Sequence, residues 1–383
     1  MAGENESGAN GADLVIAGGG LIGLACALEA AGSGLDVLVV DPGAEGRASA
    51  VAAGMIAPVG EASWGEEALL AAALDSAGRW PDWADRLGAE GGSDVGYRRC
   101  GALHVGLDRD EAAELRRRHE LHGQLGLESE WMGARACRRL EPGLSPDIAG
   151  GYVAPGEGEV DPRQVTAALR PACERAGVRM RTGSVASVRL SDGGIRGVAL
   201  GDGTAIAAER VLLAAGAWLG SIDVPGLELP VRPLKGEIVR LRARPGEQPC
   251  ERIIAAERVY IVPRASGEVV VGATVEDRGF DTRVTAGGVH ELLREAYRAL
   301  PEITELELVG CEAGLRPTTP DNAPLIGTTA VEGLLVAGGH HRNGVLLAPF
   351  TAAVIGACLR GEALPDAAAA LDPDRFAPTG SRA

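Results

Sequence analysis

The sequence is short of positive charge and has no paired cysteines. Lysine and arginine together number 37 against 53 aspartates and glutamates, a formal charge of -16. Such an excess repels a phosphate backbone or an anionic bilayer, which argues against nucleic acid or a membrane as main partner. A small anionic substrate would need a local cation. The seven cysteines (Cys26, Cys100, Cys137, Cys173, Cys250, Cys311 and Cys358) are scattered, with no CxxC pair and no Cys/His cluster at ligand spacing. This speaks against a disulfide framework or a metal site and for a reducing, cytoplasmic setting. The first eleven residues, MAGENESGANG, carry no lysine or arginine, so they lack the basic region of a secretory signal and read as a disordered tail. An uninterrupted apolar span is missing too. Leu14 to Ala31 is broken by Gly18, Gly19, Gly20 and Gly23 and closed by Glu29, which favours strand, loop and helix over a membrane span.

What is present is a 383-residue chain with 46% apolar residues, enough for two or three domains around sizeable cores. Asp13 to Ala17 reads as a strand, Gly18 to Gly23 as a turn, Leu21 to Ala31 as a helix and LDVLVVD as a strand ending at Asp41. The loop places Gly18, Gly20 and Gly23 in a G-x-G-x-x-G pattern, with an acid at a strand end about 20 residues on. Gly18 permits the tight turn, Gly20 lets backbone N–H groups approach a pyrophosphate, and Gly23 allows close helix packing. Asp41 can accept from ribose hydroxyls.

After Asp41 the chain leaves the α/β alternation of a nicotinamide dehydrogenase. A small-residue loop, GRASAVAAGMIAP, is followed by helices at about Glu66 to Leu87 and Arg109 to Gln124, with a strand from Tyr97 to Leu107 between them. On the second helix, Arg116 to Arg118 and the pair His119 and His122 read as a solvated face. Pro162 starts a helix to Ala176. Short strands follow at VRMRTG, VASVRL, GIRGVAL, TAIAA and ERVLLAAG, then VRPLKGEIVRLRA, RIIAA, VYIVPR and EVVVGATV. After a helix from Gly287 to Pro301 come the strand LELVGCEAGLRP and a last helix over NGVLLAPFTAAVIGACL. Gly338 to Gly344 would sit at the start of that helix, its N–H groups free to face a ligand.

Taken in order, the fingerprint, ASAVAAGMIAP, PLKGE, YIVPR, VVVGATVED, GLRPTTPDNAPLIG and GGHHRNGVLLAP resemble the FAD-dependent D-amino-acid oxidase and sarcosine oxidase family. Within it they are most similar to the glycine oxidases of the thiamine pathway. The resemblance covers about Asp13 to Gly361. It implies a Rossmann-type FAD-binding domain, α/β in class, interleaved with an α+β substrate domain built on an antiparallel sheet. The FAD-binding domain would comprise residues 12–60, 150–222 and 310–366, and the substrate domain 61–149 and 223–309, leaving 367–383 as a C-terminal tail.

The resemblance also assigns a site. FAD would be held by Gly18, Gly20, Leu21, Ile22, Gly23, Asp41, Ser49, Ala53, Gly54, Met55, Val185, Ala215, Gly216, Gly339, His341, Arg342, Asn343, Gly344 and Val345. Arg316 and Tyr260 would hold the substrate carboxylate, in keeping with the bidentate fork and permanent charge of a guanidinium. Ala273 and Val275 would keep the pocket small, and Arg342 would either frame the mouth or serve a structural ion pair. Lys235 is either an aid to the reaction of reduced flavin with dioxygen or a strand lysine at the domain interface. Relatives with covalent flavin carry a cysteine where this chain has Gly314, so the FAD is expected to be non-covalent. The implied activity is oxidative deamination of glycine and other small amino acids with dioxygen, by a homo-oligomer, with a thiazole synthase as possible partner. A sarcosine or D-amino-acid oxidase or dehydrogenase shares these motifs, and a nucleotide-binding module without turnover is the alternative outside enzymes.

Overall fold

Strand Gly11–Ala17 carries four buried residues in succession, as a strand covered on both faces must. In the computed structural model, which describes residues 11–191 and 194–376, it lies at the centre of a parallel sheet. Its neighbours are Val37–Asp41 on one side and Ala205–Leu213 on the other; Arg179–Thr182 and Leu334–Gly338 extend the sheet outward. Leu325–Thr328 forms an antiparallel edge, and the hairpin Val185–Ser191/Gly194–Leu200 adds to Ala205–Leu213. TAIAA and ERVLLAAG are thus one strand, not two, because Ala207 and Ala208 already pair with the first strand.

Helices Leu21–Gly32, Pro162–Arg175, Glu67–Gly91 and Ala348–Arg360 share a core under one face of this sheet, built on Leu24, Trp80, Leu169 and Phe350. The second sheet runs in the order Glu307–Thr318, Arg232–Arg242, Glu268–Gly272, Tyr260–Pro263, Ile253–Ala255, Ala102–Gly106, Gly150–Ala154, Glu130–Gly133. It is antiparallel apart from the pair Ile253–Ala255 and Ala102–Gly106. Helix Ala286–Ala299 packs on its outer face through Leu292, Ala296 and Ala299.

Four expected boundaries move. Helix Glu67–Gly91 belongs with the parallel sheet, because Leu69, Trp80, Trp83 and Leu87 bury themselves in that core. Strands Gly150–Ala154 and Glu307–Thr318 belong to the second sheet, where Ala154 pairs with Ala102 and Arg316 with Leu234. The tail expected from residue 367 is ordered as far as Phe376. Ala368 and Leu371 are buried in the first core and Arg375 pairs with Asp321 at 2.8 Å. Residues 377–383 and residues 1–10 lie outside the described residues, while Gly11, the last residue of the tail expected over residues 1–11, opens the first strand. No helix among the described residues is long and apolar enough to cross a membrane.

Candidate active site

One cavity of about 1280 Å³ runs from the glycine-rich loop to the inner face of the second sheet. At its first end stands helix Leu21–Gly32, whose opening N–H groups have no side-chain cap and so remain free for an anion. Gly18 has φ +112, and a Cβ there would lie 2.8 Å from the Ala214 carbonyl carbon. Gly20 opens toward the cavity with only Ser49 Oγ, at 3.5 Å, near its missing Cβ. Asp41 accepts from Gly43 N at 3.1 Å and is held by Arg47 at 3.0 Å, so its carboxylate is oriented before any ribose arrives. These features fit a dinucleotide: donors for its pyrophosphate, an acid for its ribose, and glycines where a side chain would block its path.

Of the residues assigned to the cofactor, all line this cavity except Gly23 and Gly339. Gly23 packs its helix against the backbone of Gly18, as the fingerprint requires, while a Cβ at Gly339 would point into Thr319. The last helix starts at Ala348 rather than at Asn343. Asn343 to Leu347 forms turns, with Leu347 N donating to Asn343 O at 2.8 Å. Ser76 Oγ and Trp80 Nε1 donate to the Leu346 carbonyl at 2.6 and 3.0 Å, so helix Glu67–Gly91 fixes this segment from behind.

At the other end Arg316 lies across strand Arg232–Arg242, directly over Gly236. A Cβ at Gly236 would fall 2.5 Å from Arg316 Nη2 and 2.6 Å from Cζ. Nη1 donates to the carbonyls of Thr274 at 3.1 Å and Lys235 at 3.4 Å, which leaves the rest of the fork for a ligand. Gly272 does the same for Tyr260, whose Cε2 would stand 2.5 Å from a Cβ there. Burial raises the Tyr260 phenol above its ordinary ionisation, with Arg316 beside it acting in opposition; a neutral phenol next to a guanidinium offers two donors to one carboxylate.

His341 also faces the cavity, with Nδ1 2.8 Å from Thr318 Oγ1. Burial, then Arg342 and Arg316, push its pKa down to about 4, so the ring is neutral near pH 7. Arg342 forms an ion pair with Glu61, which also lines the cavity. Val275 stands at the mouth, 69% exposed. Lys235, the only lysine of the chain, does not line the cavity. Its buried ammonium donates to Glu237 at 2.6 Å and lies 3.6 Å from Glu276, which places it in a buried ion-pair cluster on the second sheet.

Several lining residues are not evident in the sequence pattern. Gly236 and Gly272 matter only once their strands are paired with their partners. Glu61, His104 and Arg118 line the cavity, although the helix that bears Arg118 reads as solvated. His122 on that helix is fully buried. Its ring meets Tyr152 edge-on at 4.9 Å, and its Nδ1 and that of His119 share Ser129 Oγ at 3.0 and 2.9 Å. Burial first, then the neighbouring His104, His119 and Arg118, lower the His122 pKa to about 4. The spacing Ala112, Leu115, Arg118, His122 carries the missed signal, an inward stripe at helical period.

The family model described as FAD dependent oxidoreductase matches residues 13–357. A glycine oxidase of Geobacillus kaustophilus is 35% identical over 90% of this chain and 91% of its own length. The crystal structure of glycine oxidase from that organism superposes with a TM-score of 0.90 at 33% identity, covering 96% of this chain and 99% of that one. A bifunctional protein ThiO/ThiG of Nostoc sp. is 35% identical over 90% of this chain but 52% of its own length; the chain spans about half the length of the bifunctional relatives it matches. The uncapped helix, the cavity and the matched residues agree, and the chain belongs to the DAO family of FAD-dependent oxidoreductases.

Proposed function

We propose that the protein oxidises glycine and other small primary or secondary amino acids to their imines, which hydrolyse to glyoxylate and ammonia in the case of glycine, with dioxygen reduced to hydrogen peroxide. Bound FAD supplies the two-electron acceptor and returns the electrons to dioxygen. The chain's own residues bind and orient. Arg316 and Tyr260 grip the carboxylate, fixing the α-carbon in one place, and such positioning supplies much of the acceleration. Neutral His341 adds no competing cation beside them. The observation that carries this reading is Arg316, seated over Gly236 on two backbone carbonyls, with no carboxylate among the described residues within ion-pair distance. The relative named ThiO/ThiG supports a role for the product in thiazole formation for thiamine, with a thiazole synthase as partner.

The test is anaerobic reduction of the flavin by glycine, sarcosine, D-alanine and D-proline, followed by peroxide yield in air and turnover with an artificial acceptor. Glycine is expected to bleach the visible absorbance, and Arg316→Ala to lower kcat/KM by about 100-fold or more, the loss of a charge-assisted bond together with positioning. Absence of bleaching by every amine would leave a nucleotide-binding module. Turnover with the artificial acceptor but without peroxide would mark a dehydrogenase.

A further inference from the structure

The segment Ala48 to Met55 forms one wall of the cavity. It starts as a single helical turn, Ala48–Val51, and all of its residues except Ala50 line the space. At one end a Cβ on Gly20 would lie 3.5 Å from Ser49 Oγ; further along, a Cβ on Gly314 would lie 3.0 Å from Val51 Cβ. Gly314 stands two residues before Arg316 on the same strand, so the wall runs from the dinucleotide loop to the carboxylate grip. A substrate held by Arg316 must have its α-carbon within about 3–3.5 Å of the atom it reacts with. The redox-active ring of the cofactor therefore adjoins the later part of the wall, residues 51 to 54.

Two buried arginines of the second sheet hold this wall from behind, and neither lines the cavity. Arg264, just after strand Tyr260–Pro263, donates through Nη2 to the Ala53 carbonyl and through Nη1 to Glu159 and, at 2.6 Å, to the Val160 carbonyl. Arg240 shares Nη2 between the carbonyls of Ala50 at 3.4 Å and Val51 at 3.3 Å. Those two close the helical turn and have no acceptor role within it. Val160 N donates to the Gly54 carbonyl at 2.9 Å. Four carbonyls of the wall are thus turned away from the ligand. In a trans peptide the N–H points opposite to the carbonyl, so the Gly54 N–H is aimed away from Arg264, and no backbone carbonyl among the described residues takes it. Gly54 has φ +80, and a Cβ there would lie 2.8 Å from Pro162 Cδ, so the residue is closed behind. The guanidinium charges are met locally: Arg98 shares Glu159 at 2.9 Å, Arg240 holds Glu312 at 2.8 Å, and Arg163 holds Glu268 at 2.7 Å and lies 3.5 Å from Asp161. With four arginines set against four carboxylates, what Arg264 and Arg240 supply is orientation rather than net charge.

We propose that Arg264 and Arg240 are positioning residues for the flavin. By drawing the carbonyls of Ala50, Val51 and Ala53 to the back of the wall, they turn its N–H groups on the cavity, where fixed donors favour the ring in its electron-rich, reduced state. The second sheet thereby sets the reduction potential of a cofactor whose pyrophosphate the first sheet holds. The proposal rests on the reading of Arg316 only for where the ring lies.

The midpoint potential of the FAD-loaded protein, read against redox dyes during titration with dithionite, tests this without any amine. Arg264→Met is expected to disfavour the reduced state about tenfold, a fall of about 30 mV for a two-electron couple. Arg240→Met, which removes longer contacts, should lower the potential less. Arg98→Met is the control. It takes a partner from the same Glu159 but touches no carbonyl of the wall, and it should stay within threefold in the same equilibrium. A merely structural role would lower Tm and weaken oxidised and reduced FAD alike, leaving the potential where it is. An unmoved potential in both Arg264→Met and Arg240→Met, or an equal fall in Arg98→Met, would overturn the proposal. If the methionine variants do not fold, Arg264→Lys decides: a point donor in place of the fork should disfavour the reduced state about threefold, and an unchanged potential overturns the proposal. Failure of glycine to reduce the flavin, with these shifts intact, would instead refute the glycine reading and leave the positioning roles standing.

Discussion

Gly236→Ala is the most direct probe of the carboxylate grip, because it changes the seat of Arg316 without touching its charge. The added Cβ would lie 2.6 Å from Arg316 Cζ, against about 3.5–4.0 Å for an ordinary carbon contact, so the guanidinium must retreat by roughly 1 Å. The neighbour that yields is the far end of a flexible side chain, and Gly236 does not have a positive φ. Alanine inside a strand is also no worse than glycine, by about 0.5–1 kcal/mol, so the fold should hold and Tm should stay level or rise. A misplacement of about 1 Å costs on the order of 100-fold in rate, and that is the loss expected in kcat/KM for glycine, measured by peroxide release. Gly310→Ala is the matched control. It lies on the partner strand, opposite Arg240, with nothing within 4 Å of its missing Cβ, and it should stay within about twofold, as exposed substitutions clear of special features do. If Gly236→Ala retained kcat/KM within threefold of wild type at unchanged Tm, the seat over Gly236 would not be what orients the substrate.

Three further outcomes follow from the same geometry. Lys235→Met removes one partner of a buried ion pair and leaves Glu237 charged in the interior, so it should cost about 3–5 kcal/mol of stability while the rate of reoxidation by dioxygen, measured by stopped-flow in the folded variant, changes only a few-fold; a reoxidation rate lowered 100-fold at unchanged Tm would restore Lys235 to the flavin. Because Gly314 stands where covalent relatives carry cysteine, acid precipitation should leave the flavin in the supernatant, and a yellow pellet would refute non-covalent binding. His122 and His341 are held down to about 4 and His340 to about 3, in each case chiefly by burial. Between those values and the ordinary 6.5 the unfolded chain binds protons that the folded chain does not, so their contribution to stability is complete above pH 6.5 and is lost as pH falls toward 4. Tm should therefore drop between pH 7 and pH 4.5, less steeply in His340→Gln, and a flat profile in wild type would contradict these assignments.

The cofactor end was legible because its requirements are local. A tight turn, an approach without Cβ and an acid about 20 residues on are set by neighbours in sequence, and Gly18, Gly20 and Asp41 stand where that spacing puts them. The substrate end depends on register. In strand Arg232–Arg242 either Lys235 or Gly236 faces the cavity, since side chains alternate, and only the pairing of Leu234 with Arg316, from a segment some eighty residues away, decides for Gly236. The same information assigns Lys235 to Glu237 and explains why a motif match alone left its role open. The triplet Arg116 to Arg118 shows a different limit. Arg116 lies over the Trp131 ring at 4.1 Å and Arg117 pairs with Glu114, while Arg118 turns inward one helical turn before His122. Composition treats the three alike; helical period separates them, but only if Ala112 and His122 are taken as the buried stripe rather than as part of a charged surface. For a chain with a net charge of -16, the informative question about each arginine is whether a carboxylate already neutralises it. Within the cavity that question singles out Arg316 and Arg118, the two lining arginines with no carboxylate in ion-pair distance among the described residues.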